Sequence, residues 1–149
     1  MKPKYFLMEN VRSMKDADRD IISGYMGVQP IMIDSALVAP AMRKRYYWTN
    51  IPGVEKPEKK DIPLQSILDT GYTERVKARC LAVIDSRPNA TPVKMFHRYY
   101  SSGFTTLIFK DRQHYLDCCE YYDTHYKGMA AKDIPVGETD VFDGVRYLD

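Results

Sequence analysis

An α/β fold that passes into a second β-rich or α+β region is what this sequence predicts, on three observations. Tyr5-Phe6-Leu7-Met8 and Pro30-Ile31-Met32-Ile33-Asp34 are short apolar runs of strand length, and between them Met14, Ala17, Ile21, Ile22 and Tyr25 recur at helical spacing. Arg43-Lys44-Arg45-Tyr46-Tyr47-Trp48-Thr49 then supplies a further strand, rich in the aromatic residues that fit a pleated, half-buried surface. Strand, helix, strand, strand is the order of an α/β layer.

The elements follow in order. The first strand is expected to run into a polar turn at Glu9-Asn10-Val11-Arg12, and Ser13, with Asp16 three residues on, to cap the helix that Gly27 ends. Residues 36–42 read as a connection. From Asn50 the texture changes: Ile51-Pro52-Gly53-Val54-Glu55-Lys56-Pro57-Glu58-Lys59-Lys60-Asp61 is turn-formers and charges, a surface connection that divides residues 1–60 from 61–149. Residues 62–68 suit a short helix, 77–84 and 93–100 two strands about a polar turn at 85–92, and 104–109 an extended run after Ser101-Ser102-Gly103. Tyr115, Leu116, Cys119 and Tyr122 give 111–122 helical periodicity, Gly128 is placed to stop that helix, and 145–148 is the last expected strand.

Composition narrows the class. The 149 residues carry 22 Lys+Arg against 20 Asp+Glu, a net charge of +2, and 44% hydrophobic residues, enough for a packed core. No stretch approaches the roughly 20 apolar residues of a membrane-spanning helix. With no secretory pattern in the first ten residues, an intracellular, cytoplasmic protein with no membrane partner is expected. Cys80, Cys118 and Cys119 lack the second ligand pair of a structural zinc site, and His97, His114 and His125 do not have metal-ligand spacing, so no metal is expected. Twelve tyrosines, many beside Lys or Arg, suit interfaces with protein or nucleic acid as well as a half-buried sheet.

Two segments carry a sharper signal together. Phe6-Leu7-Met8-Glu9-Asn10-Val11 with Ser13-Met14, followed by Val38-Ala39-Pro40-Ala41-Met42-Arg43-Lys44-Arg45-Tyr46-Tyr47-Trp48-Thr49-Asn50-Ile51-Pro52-Gly53, resembles the DNA (cytosine-5)-methyltransferases, most of all the branch of the animal de novo enzymes and related phage enzymes. In that family Glu-Asn-Val ends a core strand and a later Arg-x-Arg strand completes the cytosine pocket. By themselves a strand-end carboxylate and a surface basic pair are ordinary. The resemblance implies roles: Glu9 as the acid that engages ring nitrogen 3 while a cysteine adds to carbon 6, Arg45 on the base carbonyl, Arg43 supporting the pocket or a phosphate, and Asn10 shaping the turn.

The same resemblance implies a partial enzyme: residues 1–60 as part of the catalytic core and 61–149 in the place of the target-recognition region. The family's glycine-containing S-adenosylmethionine loop and its Pro-Cys nucleophile would precede Glu9, where eight residues stand, and Gly144-Val145-Arg146-Tyr147-Leu148-Asp149 approaches but does not reach the family's closing segment. The three cysteines all follow Glu9, out of the family's motif order. The expected protein is therefore a methyltransferase-derived DNA-recognition or regulatory module, non-catalytic alone and without cofactor. S-adenosylmethionine enters only if another subunit completes the site. The alternatives are a subunit of a split cytosine-5 methyltransferase, or a phage interaction protein that inhibits a host DNA-processing or restriction factor.

In the second region Lys94, His97, Arg98, Tyr99 and Tyr100 form a basic aromatic cluster, and Lys127, within Tyr126-Lys127-Gly128, joins them as an expected DNA contact. Asp111, Asp117, Glu120, Asp123, Asp133, Glu138, Asp140 and Asp143 interrupt any positive track there. The partners expected are thus DNA, a methyltransferase subunit or a host DNA-processing protein. A homodimer is expected too, because a core missing half its elements would expose sheet edges.

Overall fold

The computed structural model describes residues 3–80, 91–103, 105–135, 137 and 140–148. The chain forms two compact units, Met1–Ile62 and Pro63–Asp149.

The first unit is a three-stranded sheet with one helix. Strands β1 (Leu7–Val11), β2 (Ile31–Asp34) and β4 (Lys44–Thr49) lie in the order β1-β4-β2, with β4 antiparallel to both neighbours. Helix α1 spans Asp16–Met26, a 3-10 turn spans Ser35–Leu37, and the two-residue strand β3 is Ala41–Met42. The register sets Glu9 opposite Tyr47 and Val11 opposite Arg45, while Ile33 meets Arg45 from the other side. Glu9 to Val11 are therefore strand rather than the expected turn, because β4 is long enough to pair β1 through Val11.

Alternation along β4 divides its side chains. Tyr46 and Trp48 are buried on one face, their rings 5.8 Å apart, and the indole N–H of Trp48 donates to Ser23 Oγ of α1 at 2.9 Å. The Ser23 hydroxyl donates in turn to the Arg19 carbonyl at 2.8 Å, so this buried polar pair is satisfied. α1 starts later than expected and without Ser13 as cap: Ser13 lies in the turn after β1, where the Met14 N–H donates to Val11 O at 3.4 Å. Lys15 occupies the cap position with no side-chain bond, and Asp16 and Asp18 place negative charge on the first turn instead. Gly27, at φ 69°, closes the helix as expected.

The second unit packs two helices around an aromatic core. Its elements are a 3-10 turn (Leu64–Ile67), β5 (Ala78–Arg79), α2 (Pro92–Ser102), β6 (Leu107–Ile108), α3 (Arg112–His125), a 3-10 turn (Asp140–Phe142) and β7 (Arg146–Tyr147), which pairs antiparallel with β6. Residues 93–100, expected as a strand, are helical. Pro92 in the first turn has the fixed φ that starts a helix, and Gly103, at φ 66°, ends it with its N–H on Tyr99 O. Phe96, fully buried, meets the rings of Tyr100, Phe109, Tyr122 and Phe142 at 5.5, 6.0, 5.5 and 5.2 Å.

The expected short helix at 62–68 is the 3-10 turn, and the strand at 145–148 narrows to β7. Of the expected strand at 77–84, residues 78–79 are extended and 81–84 lie outside the described residues, as do 85–90 of the turn, Phe104 and Glu138. Gly71, at φ 92°, lets the chain pass closely over β6: a Cβ there would stand 2.6 Å from Ile108 Cγ2 and 2.7 Å from Phe109 O.

Candidate functional site

Glu9, Arg43 and Arg45 come together on one side of the first unit. Glu9 stands near the middle of β1 with its side chain on the face away from Trp48 and Tyr46, as alternation requires. Arg45, diagonal to it across the β1–β4 ladder, donates through Nε to Glu9 Oε1 at 2.9 Å, and Arg43 Nη2 lies 3.6 Å from the same oxygen. The Arg45 side chain is 19% exposed against 42% for Glu9 and 55% for Arg43, so the carboxylate rests on a half-buried guanidinium with one oxygen engaged and the cluster open to solvent.

Backbone bonds fix the surroundings. Arg45 Nη1 donates to the Lys44 carbonyl at 2.9 Å, which sets the plane of its guanidinium. Asn10 Oδ1 accepts from the Val11 N–H at 2.8 Å, within β1 and not in the expected turn. Asp34 Oδ1 accepts the N–H groups of Ala36 (3.1 Å) and Arg43 (3.0 Å), pinning the chain where it enters β4. The arrangement offers a planar ligand an acceptor and a bidentate-capable donor side by side.

The residues expected on a DNA face of the second region are divided by α2. His97 and Tyr99 are interior: His97 Nδ1 meets the Tyr122 hydroxyl at 2.5 Å, and the Tyr99 hydroxyl donates to Glu74 Oε2 at 3.0 Å with Arg75 4.6 Å from its ring centre. Burial lowers the pKa of His97, and burial with the Glu74 charge raises the Tyr99 phenol well above the ordinary tyrosine range. Tyr100 is exposed and donates to Asp123 Oδ2 at 3.0 Å, Lys94 and Arg98 are half-buried, and Lys127 Nζ lies 3.2 Å from Asp123 Oδ1. A helix turns these five consecutive-region side chains to different directions, where a strand would have given them two faces.

The three thiols differ in exposure: Cys80 is exposed, Cys119 half-buried and Cys118 buried. Cys118 is fully buried, its Sγ–H donates to Val141 O at 3.2 Å, and burial pushes the thiol up to about 12, far from thiolate chemistry at neutral pH. His114 accepts the Lys110 N–H at Nδ1 (3.1 Å) and donates from Nε2 to Val141 O (2.9 Å), and His125 donates to Tyr121 O at 2.9 Å. Among the described residues no group of three His, Cys, Asp or Glu side chains is placed to hold a metal, and no helix is long and apolar enough to cross a membrane. An open depression of about 280 Å³ along α3, lined by Asp117, Glu120, Tyr121, Thr124, His125 and Val141, includes none of the residues assigned to cytosine or DNA.

Two neighbours of the cluster escaped the sequence reading. Arg12 and Lys44 flank it from the turn after β1 and the start of β4, and only the strand register, which sequence spacing does not reveal, makes them adjacent. No protein-family model matches this chain.

Proposed function

We propose that this chain is a methyltransferase-derived DNA-recognition or regulatory module in which Glu9, Arg43 and Arg45 form a cytosine-recognising cluster. The observation that carries this reading is the 2.9 Å bond from Arg45 Nε to Glu9 Oε1, across 36 residues of sequence. It joins the two segments on which the methyltransferase resemblance rests. In the resemblance Glu9 holds the proton on ring nitrogen 3 and Arg45 binds the base carbonyl, and a carboxylate beside a fixed guanidinium supports both contacts to one extruded base.

Methyl transfer needs a cysteine nucleophile, and these 149 residues contain no Pro-Cys pair and, in Cys118, a thiol locked in the core. The family's glycine-containing cofactor loop is likewise not among them, so no step through S-adenosylmethionine is assigned to this chain. The openness of Glu9 favours a second reading, a split cytosine-5 methyltransferase in which a Pro-Cys polypeptide covers the carboxylate.

Fluorescence anisotropy with a duplex carrying one unpaired cytosine, compared with the same duplex carrying thymine, tests the first reading. A preference of about 1–3 kcal/mol for cytosine is expected, and Glu9→Gln and Arg45→Ala should both abolish it. Equal affinity for the two duplexes, or methylation of cytosine by the isolated chain with S-adenosylmethionine, would overturn it. Methylation that appears only when a Pro-Cys polypeptide is added moves the conclusion to the split enzyme.

A further inference from the structure

We propose that Arg12 and Lys44 form a phosphodiester-binding pair at the corner of the sheet, beside the Glu9 cluster and on the opposite face of β4. This rests on the reading of the first unit as a nucleic-acid module for its ligand source, and on cross-strand charge for its chemistry.

The Arg12 N–H donates to Lys44 O at 3.4 Å, continuing the β1–β4 ladder one residue beyond Val11 and setting the two residues opposite each other. Alternation puts Lys44 on the side of Tyr46 and Trp48, and the Arg12 guanidinium lies on that side too, 5.4 Å from the Tyr46 ring centre. Both residues are exposed. Two cations directly opposite on neighbouring strands repel, and among the described residues neither has a carboxylate partner.

The contrast with the unit's other arginines is specific. Arg19 holds Asp16 and Asp20, and Arg43 and Arg45 share Glu9. The other carboxylate, Asp34, stands opposite Lys44 in the β2–β4 register without forming an ion pair with it, its Oδ1 accepting two backbone N–H groups instead. Four cations at one corner, Arg12, Arg43, Lys44 and Arg45, thus face two carboxylates, Glu9 and Asp34, and among the described residues neither carboxylate forms an ion pair with Arg12 or Lys44. The Tyr46 face holds the Arg12 guanidinium in place before any ligand arrives, which favours a planar fork onto phosphate oxygens. A phosphodiester adds the missing anion, and a nucleic acid whose base reaches Glu9 carries one on either side of that base.

Two arms separate the chemistry from its source. In the first, inorganic phosphate is titrated into the 15N-labelled chain: the Arg12 and Lys44 amide signals should shift saturably in the millimolar range and stay still in Arg12→Gln/Lys44→Gln. In the second, binding of a fluorescein-labelled DNA duplex is followed against salt. The double variant should make the slope of log K against log salt shallower by about 0.9 for each lost phosphate contact, and the charge-matched control Lys56→Gln/Lys59→Gln, on the exposed connection after β4, should leave it unchanged. A slope unaltered in the double variant, or altered equally by the control, overturns the proposal, as does phosphate that shifts neither signal. Phosphate binding at these residues with no DNA binding by the chain sustains the anion site and overturns instead the nucleic-acid reading of the Glu9 cluster.

Discussion

A single hydroxyl links the helix to the sheet in the first unit. Trp48, the chain's one tryptophan, is fully buried, and the Ser23 hydroxyl is the acceptor for its indole N–H at 2.9 Å. Removing that oxygen leaves a buried donor without a partner, which costs about 1–3 kcal/mol, while the freed space is too small to be a serious cavity. Ser23→Ala should therefore lower the unfolding free energy, from urea titration followed by Trp48 fluorescence, by that amount and bring the midpoint down with it, and Ser23→Thr, which keeps the hydroxyl, should recover part of the loss. An unchanged midpoint in Ser23→Ala would show that the indole donor is satisfied otherwise. Nothing in a helix reading of residues 14–25 singles out Ser23, because its partner is 25 residues away on a strand. Glu9 with Arg45 is the same case: the residues are legible through a family resemblance, the bond only through the register.

Elements were legible where one period dominated. β4 alternates cleanly through Tyr46 and Trp48, and α1 shows its apolar spacing and its terminal Gly27, so both stand close to where the sequence puts them. α2 did not, because Val93, Phe96, Tyr99 and Tyr100 are residues that favour strands and are also spaced three to four apart; burial against α3 and the strands resolves the ambiguity toward helix. That burial makes the α2–α3 junction sensitive to pH. His97 on α2 bonds Tyr122 on α3, and burial lowers its pKa from the ordinary 6.5. The unfolded chain then binds a proton that the folded unit resists. Stability is fully present above pH 6.5 and falls as pH drops toward the lowered folded value. Urea midpoints of the second unit, read by tyrosine near-ultraviolet dichroism at pH 8, 6.5 and 5, should decline in that order, and His97→Gln should flatten the low-pH decline. A decline of equal size in the variant would assign it to other groups.

At the scale of the whole molecule, charge is nearly balanced while its distribution is not. With 22 cationic and 20 acidic side chains the net charge is +2 and the pI about 8.3. A chain that bound DNA through its overall field would lose the attraction as pH approached that value. A chain that binds through a local corner of arginine and lysine would not, since these residue types are cationic in water well above pH 8. In the second unit Lys127 pairs with Asp123 and Lys110 with Asp143, whereas Arg12 and Lys44 of the proposed phosphate site form no ion pair among the described residues. DNA affinity measured at constant ionic strength should then change by no more than roughly threefold between pH 7.0 and 8.3, with the salt slope preserved, since that slope counts local phosphate contacts rather than net charge. Loss of more than about tenfold over this interval, with a slope that collapses at the pI, would mean that the general field and not the Arg12 and Lys44 corner holds the nucleic acid.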